Sequence, residues 1–160
     1  MLHLVSRTAV ALASLAMAAP TPAADEHNTV PGLTYVGAPL GLHGADPVAF
    51  IQHGNRIEGT GQFTATHDGV AYYFATQENL DSFKAEPAQY VPQFGGFCAF
   101  GVSVGKKFDG NPRYAAIHNG KLYVFLGEDV LRAFNKDRAG TLATAEANWK
   151  KIRHTAAREL

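Results

Sequence analysis

The sequence predicts an α+β fold: two repeated units of about 50 residues, each a short helix, a β-hairpin and a helix, form one compact domain with a C-terminal helix. Three observations predict it, namely an internal repeat, two tight-turn tripeptides between apolar runs, and apolar residues at helical spacing after each turn. The chain has 160 residues, 46% of them hydrophobic, which suffices for a single core.

The repeat emerges when the sequence is shifted against itself by 51 positions, which aligns 67–84 with 118–135. Six of the 18 aligned positions are identical, where composition alone would give roughly one. The identical pairs are His67/His118, Gly69/Gly120, Tyr72/Tyr123, Phe74/Phe125, Leu80/Leu131 and Phe83/Phe134. We therefore place the two copies at 44–90 and 94–137.

Each copy contains a hairpin signal. His67-Asp68-Gly69 and His118-Asn119-Gly120 place Asp-Gly and Asn-Gly between apolar runs, a pattern typical of two-residue hairpin turns. The predicted strand pairs are 62–66 with 70–75, and 113–117 with 121–126.

Helices are predicted around these hairpins. Thr76 is a suitable N-cap for a helix over 77–84, and the matching helix covers 128–135. Asp46 and Pro47 predict the start of a short helix that reaches residue 50, with 96–100 as its counterpart. Apolar residues at spacings of three and four predict a final helix over 141–153, with Leu142, Ala145 and Trp149 on one face.

The first 24 residues differ from the rest. Arg7 precedes a small-residue apolar run over 8–19, and small residues follow, which is typical of a secretory signal peptide. The sequence therefore predicts an exported protein, periplasmic if the source is Gram-negative. Residues 25–40 lack periodicity and are predicted to be a flexible arm, and 41–157 are predicted to form the domain.

Charge narrows the range of partners. The chain has 14 basic and 14 acidic residues and a formal net charge of zero. A nucleic-acid or anionic-membrane surface needs a basic excess, so we expect neither partner. No apolar run reaches the roughly 18 residues of a membrane span, so none is expected after removal of the signal.

Four ordered motifs resemble the YHS domain family, in particular its exported bacterial members. They are Gly-Ala-Asp-Pro-Val-Ala-Phe at 44–50, Gly-Gly-Phe-Cys-Ala at 95–99, Gly-Lys-Leu-Tyr at 120–123 and Ala-Glu-Ala-Asn-Trp at 145–149. The segment from Phe63 to Tyr90 also resembles the family outline of a histidine, a glycine turn, a Tyr-Phe strand and a helix.

The resemblance implies a role connected with metals, since YHS and related domains often occur with heavy-metal transport and sensing. This sequence departs from the metal-binding pattern at one place. Where those domains have a cysteine after the strand and another in the next helix, this chain has Phe74-Ala75-Thr76 and a helix without cysteine.

Cys98 is the only cysteine of the chain, so it has no partner for an intramolecular disulfide. As a packed apolar thiol it would resemble Val48, with which it aligns in the first copy. If it lies in the first turn of the predicted short helix, the helix end favours a thiolate, the form that ligates Cu(I). A redox or intermolecular thiol is the third possibility.

The expected function is that of an exported, non-catalytic soft-metal protein that binds copper through Cys98 and a histidine. His43 is the preferred partner, and His67 and His118 are further candidates, although both are typical of rings packed beside turns. The partner would be a metal donor or acceptor, or another exported protein. The alternatives are a metal-free interaction or structural module with Cys98 in the core, and a thiol-dependent redox enzyme. No catalytic set is recognisable, so the sequence gives no positive indication of an enzyme.

Overall fold

The computed structural model describes residues 25–160, so the predicted signal peptide lies outside the described residues. The fold is α+β with a C-terminal helix. The strands are β1 (Thr29–Val30), β2 (Leu40–Gly41), β3 (Thr60–His67), β4 (Val70–Phe74), β5 (Asn111–His118) and β6 (Lys121–Phe125). The helices are α1 (Pro47–His53), α2 (Gln77–Ala85), α3 (Pro87–Tyr90), α4 (Ala99–Ser103), α5 (Glu128–Lys136) and α6 (Arg138–Ile152).

The strands form two sheets. One has the order β1-β2-β4-β3, in which β2 is parallel to β4 and the other pairs are antiparallel. The second sheet is the β5-β6 hairpin. Both predicted hairpins are confirmed, and the turn residues Asp68 (φ 48°) and Asn119 (φ 50°) have the left-handed backbone that a two-residue turn requires.

The order short helix, hairpin, helix occurs twice. In both hairpins the strand register shifts at matching places, between Thr60 and Thr64 and between Asn111 and Ala115. A common origin of the two halves remains a prediction from the sequence.

The helix predictions are confirmed with small shifts at their ends, except that the short helix predicted over 96–100 begins only at Ala99, in α4. Thr76 accepts a hydrogen bond from Asn79 N at 3.1 Å and caps α2, as expected. Asp46 caps α1 through Val48 N and Ala49 N. The final helix α6 begins three residues before the predicted 141 because Asp137 supplies its N-cap. The short helix α3, which follows α2 directly, was not predicted.

The buried apolar residues form three clusters. The largest joins α4, β6, α5 and α6 in the second half, and a smaller one lies between β4 and α2 in the first half. The third contains Leu42, Ala45 and Phe50 together with Leu122 and Val124, so residues from both halves pack against each other.

Residues 25–40, predicted to be a flexible arm, have fixed hydrogen-bond partners on the rest of the domain. Asn28 N donates to Gly95 O at 2.8 Å, and Asn28 Nδ2 donates to Gly96 O at 3.1 Å. Strands β1 and β2 extend the first sheet. The sequence gives no sign of the contacts of Asn28, because Gly95 and Gly96 lie more than 60 residues away in the chain.

Lys107 fastens this arm to the C-terminal end of the chain. Its side chain is fully buried, and Nζ donates to Glu26 Oε2 at 3.2 Å, Arg153 O at 3.0 Å and Thr155 O at 2.7 Å. The ammonium also lies 5.2 Å from the ring centroid of Phe97. All three N–H donors of the ammonium therefore have acceptors, which is the condition for burying a charge.

Within residues 25–160, no helix has both the length and the apolar character that crossing a membrane requires.

We expect Lys107→Met to lower the free energy of unfolding by about 2–4 kcal/mol, because it leaves buried acceptors without their donor. The adjacent Lys106 is exposed, so Lys106→Met is the matched control and should change it by less than about 0.5 kcal/mol. Urea unfolding measures both values. Equal effects of the two substitutions would show that the buried ammonium contributes no specific stability.

Candidate functional site

Cys98 is the N-cap of α4, which corrects the prediction that it lies in the first turn of a helix over 96–100. Its Sγ accepts a hydrogen bond from Gly101 N at 3.4 Å, and the residue is only 1% exposed. The thiol therefore fills a capping position that a hydroxyl or carboxylate usually occupies.

In the structure, the counterpart of Cys98 in the first half differs from the residue that the sequence alignment predicts. Cys98 N donates to Phe108 O at 2.9 Å, and Asp46 N donates to Ile57 O at 2.8 Å. Both residues cap the short helix that follows. Cys98 thus takes the place of Asp46, not of Val48.

The surroundings of Cys98 are apolar. It belongs to the largest buried cluster, with Phe94, Phe97, Val102 and Tyr123 among its members. This environment supports the alternative in which the thiol is packed in the core.

The three predicted histidines lie in separate settings. His43 Nε2 is 2.9 Å from Asp109 Oδ1, and that oxygen also accepts from Asn28 Nδ2. His67 Nε2 is 3.4 Å from Asp68 Oδ2 at the first hairpin turn. His118 lies beside the second hairpin turn, at the edge of another cleft.

Among residues 25–160, no three or more histidine, cysteine, aspartate or glutamate side chains are grouped so that they could hold a metal ion. The structure therefore does not assemble Cys98, His43, His67 and His118 into such a group. A copper site remains a prediction from the sequence.

A cleft of about 200 Å³ lies where the arm, the first hairpin and α6 meet, and we call it the first cleft. Its lining combines carboxylates, imidazoles and aromatic rings. The lining residues are Asp25, His27, His67, Asp68, Tyr72, Val91, Pro92, Gln93, Phe94, Gly95 and Trp149.

The aromatic side of the first cleft consists of Phe94 and Trp149, which contact each other, and Trp149 also contacts the side chain of Lys107. Phe94 and Trp149 lie edge to face with ring centroids 5.9 Å apart, and Lys107 Nζ lies 5.4 Å from the Trp149 ring. Phe94 (φ 54°) and Gly95 (φ 61°) are both left-handed. A Cβ at Gly95 would lie 2.9 Å from Glu26 O, so only glycine lets the arm approach this closely.

The polar side of the first cleft includes the carboxylate of Asp25. Asp25 Oδ1 lies 2.8 Å from His154 Nδ1, and Arg153 Nε donates to His154 Nε2 at 3.0 Å. Asp25 Oδ1 is nevertheless a buried acceptor that receives no hydrogen bond from residues 25–160. The remaining carboxylate of the first cleft, Asp68, has only His67 as an ion-pair partner among residues 25–160.

Tyr72 presents the phenol of the first cleft. Burial raises the pKa of this phenol well above its usual range, and the negative charge of Asp68 raises the pKa further. The Tyr72 hydroxyl therefore keeps its proton and can donate a hydrogen bond.

The second hairpin has a matching cleft of about 300 Å³, the second cleft. His118, Asn119 and Tyr123 occupy the places that His67, Asp68 and Tyr72 have in the first. Burial raises the pKa of Tyr123, with a smaller contribution from Glu146. The charges differ, because Asn119 replaces the aspartate, while Lys121 and Glu146 add one charge of each sign to the lining.

The sequence indicated part of this arrangement. The repeat aligns His67 with His118 and Tyr72 with Tyr123, but it does not indicate that these residues line clefts. Asp25 and His27 were missed because the arm has no periodic pattern. Trp149 was predicted only as part of the inner face of the final helix.

Comparison with protein-family models, curated proteins and solved structures found no match. The resemblance to YHS domains therefore remains a prediction based on the motifs.

We expect stability to fall as pH rises above about 10, the usual pKa of tyrosine. Tyr72 and Tyr123 have raised pKa values in the folded protein, so the folded state binds more protons than the unfolded state in this range. Urea unfolding between pH 8 and pH 11 (values on the order of the tyrosine pKa) should show the decline. The decline should be smaller in a Tyr72→Phe/Tyr123→Phe double variant, and an equal decline would contradict the assignment.

Proposed function

We propose that this protein is a non-catalytic binding module that holds a small ligand in the first cleft, with Cys98 serving as a structural helix cap. The observation that carries the proposal is the first cleft itself, where polar groups converge on aromatic walls. That combination is typical of small-molecule sites. The predicted secretory signal supports placing this module outside the cytoplasm, in the periplasm of a Gram-negative source.

The size of the first cleft limits the ligand. Its volume is about 200 Å³, whereas an engineered cavity of about 150 Å³ holds benzene and pockets for drug-sized ligands begin at about 300 Å³. The ligand is therefore a molecule somewhat larger than benzene, or an end group of that size.

The residues of the first cleft favour binding over catalysis. The lining includes no serine, threonine, cysteine or lysine nucleophile, and its aspartates and histidines are groups that also bind polar ligands. The Tyr72 hydroxyl, whose raised pKa keeps it protonated, is a weak base and a weak nucleophile. Cys98, the residue on which a thiol enzyme would depend, is buried in the apolar core.

The position of Cys98 leads to a direct test of the metal and thiol alternatives. Because Sγ is buried and already accepts from Gly101 N, we expect a thiol-specific disulfide reagent to react with the folded protein only as fast as the protein unfolds. We also expect Cys98→Ser, which keeps a capping oxygen, to leave any Cu(I) affinity unchanged. Tight one-to-one Cu(I) binding that disappears in Cys98→Ser would contradict the structural role and support the copper prediction.

The ligand-binding proposal is tested with a library of soluble fragments of benzene size and slightly above. Trp149 is the only tryptophan of the chain and lines the first cleft, so its fluorescence reports on this site. We expect saturable binding by some fragments, and we expect Gln93→Phe, which fills the first cleft, to weaken their binding at least tenfold, about 1.4 kcal/mol.

Gln52→Phe is the matched control, since Gln52 is an exposed glutamine outside the lining of the first cleft. It should leave fragment binding unchanged. Absence of any saturable fragment, or equal binding by the wild type and Gln93→Phe, would overturn the proposal.

A further inference from the structure

We infer that the ligand of the first cleft is a small organic cation, whose ammonium group lies at Asp68 and Tyr72 and whose apolar part contacts Phe94 and Trp149. This inference rests on the proposed function and specifies its ligand class.

The lining of the first cleft carries a negative formal charge. The eleven lining residues of the first cleft include two aspartates and no lysine or arginine. Asp25 has a permanent cation nearby, because Arg153 Nε is 3.7 Å from Asp25 Oδ1, although that buried oxygen accepts no hydrogen bond from the described residues. Asp68 has no lysine or arginine partner in the described part of the chain, where His67 at 3.4 Å is its only ion-pair partner, so it is the more available carboxylate for a positive charge on a ligand.

The hydrogen-bonding groups favour the same class. The carboxylate of Asp68 can only accept, and the protonated Tyr72 hydroxyl offers lone pairs as well as its proton. An ammonium group, which only donates, finds two acceptors there. A carboxylate or phosphate ligand would lie beside Asp68 without a lysine or arginine in the lining.

The aromatic walls suit the remainder of such a ligand. Phe94 and Trp149 supply ring surface for an apolar group, and aromatic faces also attract cations. Metal cations are disfavoured as the alternative, because no group of three or more potential ligands exists among residues 25–160.

The second cleft provides an internal comparison. Its hairpin turn has Asn119 where the first has Asp68, and its lining contains both Lys121 and Glu146. Asn119 has φ 50° and Asp68 has φ 48°, so each turn accommodates the other residue. Exchanging these side chains therefore moves one charge while both turns keep their backbone.

The experiment titrates benzylammonium chloride, benzyl alcohol and sodium benzoate into the protein at constant ionic strength, with Trp149 fluorescence as the signal. These probes share a ring and differ in charge. We expect benzylammonium to bind most tightly. Because Asp68 is largely exposed, we expect Asp68→Asn to weaken benzylammonium binding by about three- to tenfold and to remove its advantage over benzyl alcohol.

Asn119→Asp is the matched control, and it should leave all three affinities unchanged. Binding of benzyl alcohol or benzoate as tight as that of benzylammonium would overturn the cation assignment but leave the ligand-binding function intact. The cation assignment would also be overturned if none of the three probes bound while library fragments did bind and Gln93→Phe weakened their binding. Failure of the probes and of the whole library would overturn both.

Discussion

The buried ammonium of Lys107 is the interaction on which the arrangement around the first cleft depends. It joins the carboxylate of Glu26 in the arm to two backbone carbonyls near the C-terminus, and it lies over the ring of Trp149. A charge without water is tolerated only when its hydrogen bonds are satisfied, so these segments must stay together for Lys107 to remain buried. The first cleft is the space that remains where the same arm and the same helix meet the first hairpin.

The two halves cap the short helix before the hairpin with different side chains. Asp46 accepts four N–H hydrogen bonds, from Val48 N, Ala49 N, Ala75 N and Asn79 Nδ2, and so ties the start of α1 to the end of β4 and to α2. Cys98 has the same backbone position, but within the described residues its thiol accepts only from Gly101 N and otherwise packs against apolar side chains. A weak cap in an apolar environment explains a lone buried cysteine without assigning it chemistry.

Comparing the two clefts distinguishes the residues that both hairpins share from the residues found in one cleft alone. A histidine, a two-residue turn and a buried tyrosine occur at both hairpins, so these features follow from the hairpin architecture. The acidic character at Asp68, and the arm and Trp149 that close the wall, belong to the first cleft alone. Specificity for a ligand is therefore expected to come from the residues that differ between the halves.

The sequence by itself determined the local structure: both hairpins, the cap at Thr76, the cap at Asp46 and the final helix. These features depend on turn residues, capping side chains and periodicity within a few positions, all of which are visible in one segment. It also identified His67 through the repeat. Only the tertiary structure decided that Cys98 is a buried cap, that the arm is fastened by Lys107, and that Asp25 and Trp149 share a cleft with His67. Those contacts join residues that are far apart in the chain, and their energies depend on burial and on partners that no local pattern encodes.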